Sequence, residues 1–268
     1  MLSIIVSTYK PHNFAALEQN ITDTAGIAFE IIKIENPGIM GICEAYNSGV
    51  KKANFENLLF IHDDIEFKTQ NWGSILILHL KDQDTGVLGV AGSNYVPTAP
   101  SGWFIEKKQK ESTSEKQKAI ALDGVFLSCT KAKFNNIKFN ETYIKGFHGY
   151  DYEFCLRMAK LYQNYIIHDI QIVHLSNGNP DKLFLDNNIK IRLSLGSNFK
   201  HSIKSETEKT AFKNFLKNYF KYYSLTAKNL FFTFRFFPFT KTSFRDQFEI
   251  LKLYLSFIKY RNDQKKIK

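Results

Sequence analysis

Four short apolar runs, LSIIVST (2–8), FEIIKI (29–34), NLLFIH (57–62) and GVLGVAG (86–92), alternate with stretches long enough to hold a helix. Such β-branched runs, bounded by polar breakers, read as buried strands. Residues 13–24 and 41–53 are each long enough to carry the chain from one parallel strand to the next. The expected fold is therefore α/β, a mixed, mostly parallel, Rossmann-like sheet flanked by helices. In such sheets ligands gather beyond the carboxyl ends of the strands.

The pattern dissolves between residues 93 and 119, where two prolines precede a run of Lys, Glu and Ser with little to bury, and a mobile loop is expected. IALDGVFLSCT then reads as a strand carrying Asp123 and Gly124. GYDYEFCLRMAKLY puts Phe154, Met158 and Leu161 on one helical face, with Asp151 and Glu153 in its first turn. NYIIHDIQIVHLSNG reads as a strand running into His174. From about residue 206 onward there is no Gly, and Pro238 is the only breaker in a helix-compatible stretch. A boundary is expected near residue 200, separating a catalytic-sized domain (1–200) from a helical extension (201–268).

Charge follows that boundary. Residues 1–199 carry 20 Lys and Arg against 21 acids, whereas residues 200–268 carry 16 against 5 and hold 17 of the chain's 40 aromatics. A basic, aromatic module thus follows a nearly neutral body. The three cysteines, Cys43, Cys129 and Cys155, are odd in number and form no Cys-x-x-Cys pair, which fits a reducing compartment. MLSIIVSTYK has no basic leader or cleavage site and reads as a first strand. No run of 18 apolar residues occurs, which argues against a conventional membrane span.

The FIHDDIEF segment (60–67) sets a histidine and two aspartates at the end of a buried strand. Paired acids there are hard oxygen ligands that can hold Mg2+ or Mn2+ against the phosphates of a nucleotide. Acids after a strand also serve turns and helix caps. Asp151 has the same two faces: an acid favoured by the helix dipole, or a general base aimed into a cleft. His174 is a surface residue or an imidazole that completes an oxygen-rich metal site.

The order STYK, IEN, AYNSGVKKA, FIHDDI, LDGVFL, GYDYEFCLR and IVHLSNG resembles that of the inverting nucleotide-sugar glycosyltransferases of family 2, over roughly residues 1–200. It is similar to the StrF-type branch, in which a His-x-Asp triplet replaces the commoner Asp-x-Asp. The resemblance implies a GT-A fold. It implies Asp151 as catalytic base and a metal site of Asp64, His62 and His174. Asp63 would lie near the donor's ribose or phosphates, Thr8, Tyr9, Glu35 and Asn47 would hold the nucleotide, and Asp123 and Gly124 would lie beneath the sugar. Tyr150 stands where many relatives have Glu, and Glu35 where many have Asp. No Gln-x-x-Arg-Trp signature of processive synthases is present, which favours single-sugar addition. The implied donor is a UDP-sugar, with Mn2+ or Mg2+ as cofactor.

Lysines interleaved with rings suit a helix lying in a membrane interface, where each basic residue near anionic lipid contributes about 1 kcal/mol. The expected place is then cytoplasmic, peripheral at the inner face of a bacterial membrane, with a lipid-linked glycan as acceptor and a role in cell-surface polysaccharide synthesis. Alternatively the rings pack on the catalytic domain or form a homodimer interface. A nucleic-acid binder would use the tail but leaves His62, Asp64, Asp151 and His174 without purpose. A nucleotidyltransferase would use the same acids, and release of pyrophosphate in place of nucleoside diphosphate separates it.

Overall fold

The computed structural model describes residues 1–8, 11–102, 116–176, 180–197, 199 and 205–266. The first elements are β1 (Leu2–Thr8), α1 (Pro11–Thr24), β2 (Phe29–Glu35), α2 (Ile42–Lys52), β3 (Asn57–His62), β4 (Ile65–Phe67), α3 (Trp72–Leu80) and β5 (Thr85–Gly89). There follow β6 (Gly92–Ser93), β7 (Lys116–Ala119), β8 (Ala121–Leu122), β9 (Phe126–Thr130), α4 (Lys131–Asn136), α5 (Tyr150–Met158), β10 (Gln163–Ile167) and β11 (Ile172–His174). The helices α6 (Lys182–Leu195), α7 (Ser205–Tyr222), α8 (Ala227–Phe234) and α9 (Phe244–Lys266) complete the chain. Two compact units result, one of Met1–Asn94 and Trp103–Leu183, the other of Tyr95–Gly102 and Phe184–Lys268.

The first unit is built on a seven-stranded sheet of order β2-β1-β3-β9-β5-β10-β7. β2, β1 and β3 are parallel neighbours, β10 is parallel to β5, and β9 and β7 run the other way. The sheet is mixed and mostly parallel. Alternation along the strands decides what each face buries. Ile4 and Val6 of β1 and Leu59 and Ile61 of β3 join Leu17, Ile21, Trp72 and Leu76 of α1 and α3 in one core. Ile5 and Phe60 point the other way. Helix α2 lies so close there that a Cβ on Gly49 would come within 2.4 Å of the Ile5 side chain. The rings of Tyr46, Phe60, Phe134, Phe139, Tyr150 and Phe154 pack in a continuous cluster on that face.

Several sequence expectations are corrected. Lys116–Ala119 is an edge strand paired antiparallel with β10 rather than loop; its alternation is too polar to signal a strand by itself. The segment leading to His174 is two strands in two sheets, because β11 pairs with β4 while β10 pairs with β5 and β7. Helix α5 ends at Met158, and Leu161 lies beyond it with 67% of its surface exposed. Helix α3 had no amphipathic signal, since WGSILILHL is apolar all round. Tyr9 and residues 103–115 of the 93–119 stretch, Trp103 among them, lie outside the described residues.

In the second unit the aromatic load finds its use. Phe212, Phe215, Tyr219, Phe236, Phe237 and Tyr254 are buried and pack ring against ring. Glu208 of α7 is fully buried as well. Its carboxylate accepts from the Tyr95 hydroxyl (2.7 Å) and the Thr98 N–H (2.9 Å) and faces Lys241 at 3.5 Å. A buried acid needs such partners, because its desolvation is otherwise uncompensated. All three cysteines of the chain are free and buried. Burial pushes the Cys43 and Cys129 thiols up to about 12, so they pack as small apolar groups.

Candidate active site at the carboxyl end of the sheet

The parallel register brings the ends of three strands to one edge: Thr8 is opposite Glu35, and Ser7 is opposite His62. Behind that edge Asn36 holds the turn after β2. Its N–H donates to Thr8 O (3.0 Å), and its side chain bonds both polar groups of the Met40 backbone. Thr8 is buried, with its hydroxyl donating to Ile34 O at 3.3 Å. Glu35 is exposed and pairs with Lys33 at 3.2 Å.

After β3 the chain turns through Asp63 and Asp64 into β4, whose partner β11 ends on His174. The Leu175 N–H donates to Asp64 O (2.9 Å), which fixes that histidine beside the turn. Asp64 Oδ1 is 3.3 Å from His174 Nε2 and 4.0 Å from His62 Nδ1. The donor atoms of the three residues lie within 4.8 Å of one another. One carboxylate oxygen and two imidazole nitrogens converging in this way fit a divalent cation.

The tautomer of His62 follows from its neighbour. Tyr150 has one hydroxyl proton, and Gly124 O, a pure acceptor, lies 2.8 Å away. With that proton spent, the contact of 3.0 Å between the Tyr150 oxygen and His62 Nε2 requires the imidazole to donate. His62 Nδ1 is left as a lone pair on the Asp64 side. Burial pushes the His62 pKa down, which keeps the ring neutral as a ligand must be.

The same tyrosine touches the other half of the site. Helix α5 starts after Gly149, which has φ +84°, a conformation natural to glycine at a sharp entry. Asp151 lies in its first turn, and the Gly124 N–H donates to Asp151 Oδ2 at 3.1 Å. Gly124 has to be glycine: a Cβ there would lie 2.1 Å from the Tyr150 hydroxyl. Desolvation by burial, then the charge of Asp123, pushes the Asp151 pKa up to about 7. A carboxyl poised near neutrality suits a general base. Asp123 is itself held by the Val125 N–H, which donates to its Oδ1 at 3.1 Å. Glu153, the second acid of the turn, is consumed by Arg157 through contacts of 2.6 and 2.7 Å.

The structure thus gathers His62, Asp63, Asp64, Asp123, Gly124, Asp151 and His174 at one sheet end. Asn47 has other partners. Its amide donates to Phe139 O and Glu141 Oε2, both at 2.9 Å, and it lines a cavity of about 310 Å³ with Lys51, Lys131 and Lys138. Tyr150, whose hydroxyl touches both His62 and Gly124, stood out in the sequence only as a departure from the family pattern. Its sole signal was adjacency to Asp151.

A model of a glycosyltransferase-like family matches residues 3–190. No curated protein matches the sequence significantly. The fold is similar to that of GalNAc-T7 crystallised with UDP, GalNAc and Mn2+, with TM-score 0.57 and 12% identity over 72% of this chain and 47% of that one. The chain therefore spans about half the length of that neighbour. It is also similar to S. aureus TarS 1–349 in complex with UDP-GlcNAc, with TM-score 0.51 and 13% identity over 88% of this chain and 81% of that one. At such identities the likeness carries the fold.

Proposed function

The chain belongs to the glycosyltransferase-like family, and from that premise we propose that it moves one sugar from a UDP-sugar to a hydroxyl of a glycan acceptor with inversion. The observation that carries this reading is the pairing, at one sheet end, of a cation-ligand set with a carboxyl whose pKa stands near 7. The crystals of GalNAc-T7 with UDP and Mn2+ and of TarS with UDP-GlcNAc support the choice of uridine.

Asp64, His62 Nδ1 and His174 Nε2 would hold Mn2+ or Mg2+, with the two nitrogens favouring Mn2+. When bound, that ion supplies Lewis-acid neutralisation of the departing diphosphate. Asp151 accepts the proton of the acceptor hydroxyl as its oxygen bonds to the anomeric carbon. The bond from that carbon to the diphosphate oxygen breaks on the opposite face. Asp123 and Gly124 hold the sugar beneath Asp151, and Asp63, Thr8 and Glu35 line the nucleotide end. Asn47 would bear on the nucleotide only by steadying the 139–141 segment it bonds.

The basic, aromatic helices after residue 200 support a place at the inner face of a bacterial membrane and a lipid-linked acceptor in surface polysaccharide synthesis. Among the described residues no helix is long and apolar enough to cross a membrane. The test is a panel of nucleotide sugars assayed for Mn2+-dependent hydrolysis and for release of nucleoside diphosphate. UDP from one UDP-sugar, lost in EDTA and in Asp64→Ala, is expected. Pyrophosphate release would replace this reading with a nucleotidyltransferase.

A further inference from the structure

Helix α9 has two faces that the sequence alone did not separate. Its inner face carries Ile250 and Tyr254, 2% and 7% exposed, and Asp246, which bonds Ser205 (2.7 Å) and Lys209 (3.2 Å) of α7. Its outer face carries Phe244, Phe248, Leu251 and Leu255 at spacings of four, three and four, exposed by 91, 61, 41 and 65%. At 3.6 residues per turn these four form one straight stripe. Arg245, Lys252 and Lys259 recur every seven residues along one flank of that stripe, and all are exposed. Helix α8 repeats the device on a smaller scale, with Phe231, 76% exposed, between exposed Lys228 and Arg235.

We infer that the outer stripe of α9, with Phe231, seats in the interface of an anionic lipid bilayer while Arg245, Lys252 and Lys259 meet the headgroups. This deepens the membrane part of the proposed function and rests on it, without using the transferase part. Charge decides the occupant. The acid among the described side chains of this face, Glu249, is already opposed by Lys209 at 3.1 Å and Arg245 at 3.9 Å. A second copy of the chain would present no acidic row to the cations, whereas anionic headgroups would. Four bulky apolar side chains turned to water on one stripe also lack any role in the core that α9 completes on its other side.

The full-length protein is mixed at low ionic strength with vesicles of equal parts phosphatidylcholine and phosphatidylglycerol, and with vesicles of phosphatidylcholine alone. Co-sedimentation with the anionic vesicles is expected. Phe244→Ser with Phe248→Ser should weaken it at least ~10-fold, and Lys252→Glu should weaken it and flatten its salt dependence. Far-UV circular dichroism and UDP-sugar hydrolysis in solution should stay unchanged. No binding to anionic vesicles, equal binding to both kinds, or full binding by the Phe variant would each overturn the inference. So would a dimer that the Phe variant converts to monomer while vesicle binding is absent. Loss of hydrolysis with vesicle binding intact would strike the proposed chemistry instead.

Discussion

The two units use aromatic rings to opposite ends. In the first, Tyr46, Phe60, Phe134, Phe139 and Phe154 form a wall behind the site, and Tyr150 extends from it with its hydroxyl set between His62 and Gly124. The rings there place polar atoms. In the second, Phe212, Phe215 and Phe237 build a core while Phe231, Phe244 and Phe248 face outward. There the rings serve as core and as surface. The acids differ in the same way: half-buried Asp151 keeps a carboxyl that ionises near neutrality, whereas fully buried Glu208 is committed to Tyr95, Thr98 and Lys241. A buried carboxylate next to another acid stores reactivity; one next to donors and a lysine stores stability.

The sharpest break would come at Asp151. Asp151→Asn keeps the shape, so donor affinity and vesicle binding should persist while turnover falls ~10²- to 10⁴-fold. In the intact protein kcat/KM should rise with pH through about 7, as the base loses its proton. Stability runs the other way. The folded protein holds this proton up to about 7 while the unfolded chain releases it near 3.8, so the raised pKa makes stability fall as pH climbs between those values. Thermal melts of the wild type and the Asn variant across that window check this. Parallel curves would show that the carboxyl is not buried as described.

Glu208 is expected to come next. Glu208→Ala removes the buried carboxylate shared by the Tyr95 hydroxyl, the Thr98 N–H and Lys241, and among the described residues leaves Lys241 its bond to Ser197 O. Removing one side of such a pairing costs about 3–5 kcal/mol. Guanidinium unfolding followed by aromatic fluorescence should show it, and a loss under about 1 kcal/mol would mean that the acid behaves as a surface group.

How much of this could be read from the chain depends on the range of the contacts. β1 and β3 are buried on both faces and the edge strand β2 keeps a β-branched, apolar run, so these strands announced themselves, and parallel register then put Thr8, Glu35 and His62 at one edge. The residues of the His62, Asp64 and His174 cluster were legible as an order of motifs. The pairing of β11 with β4, which brings His174 within 3.3 Å of Asp64, is a contact over more than a hundred residues and left no local trace. Lys116–Ala119 was hidden for a related reason: an edge strand can be polar, and its partner decides its state. Asn47 shows the converse, since at a position inferred by likeness the side-chain NH2 is spent on Phe139 O and Glu141 Oε2. The tail's composition gave charge and rings but could not say which rings turn inward, because that depends on the packing of α7 against α9.

The smallest expected effect tests the ring wall's hold on the site. Tyr150→Phe keeps the aromatic contact with Tyr46 and Phe139 and removes only the oxygen that accepts from His62 Nε2 and donates to Gly124 O. His62 would then be free to carry its proton on either nitrogen, and part of its population would present N–H in place of a lone pair toward Asp64. Loss of such an orienting partner typically weakens a metal site ~10- to 100-fold, and the lower end is expected because Asp64 and His174 are untouched. Free Mn2+ counted by electron paramagnetic resonance measures the affinity, and the imidazole nitrogen shifts of His62 report its tautomer in the metal-free protein. The pH limb set by Asp151 should not move. If Mn2+ affinity and the His62 shifts both match the wild type, the hydroxyl only fills space, and the rings place nothing that the strands had not already placed.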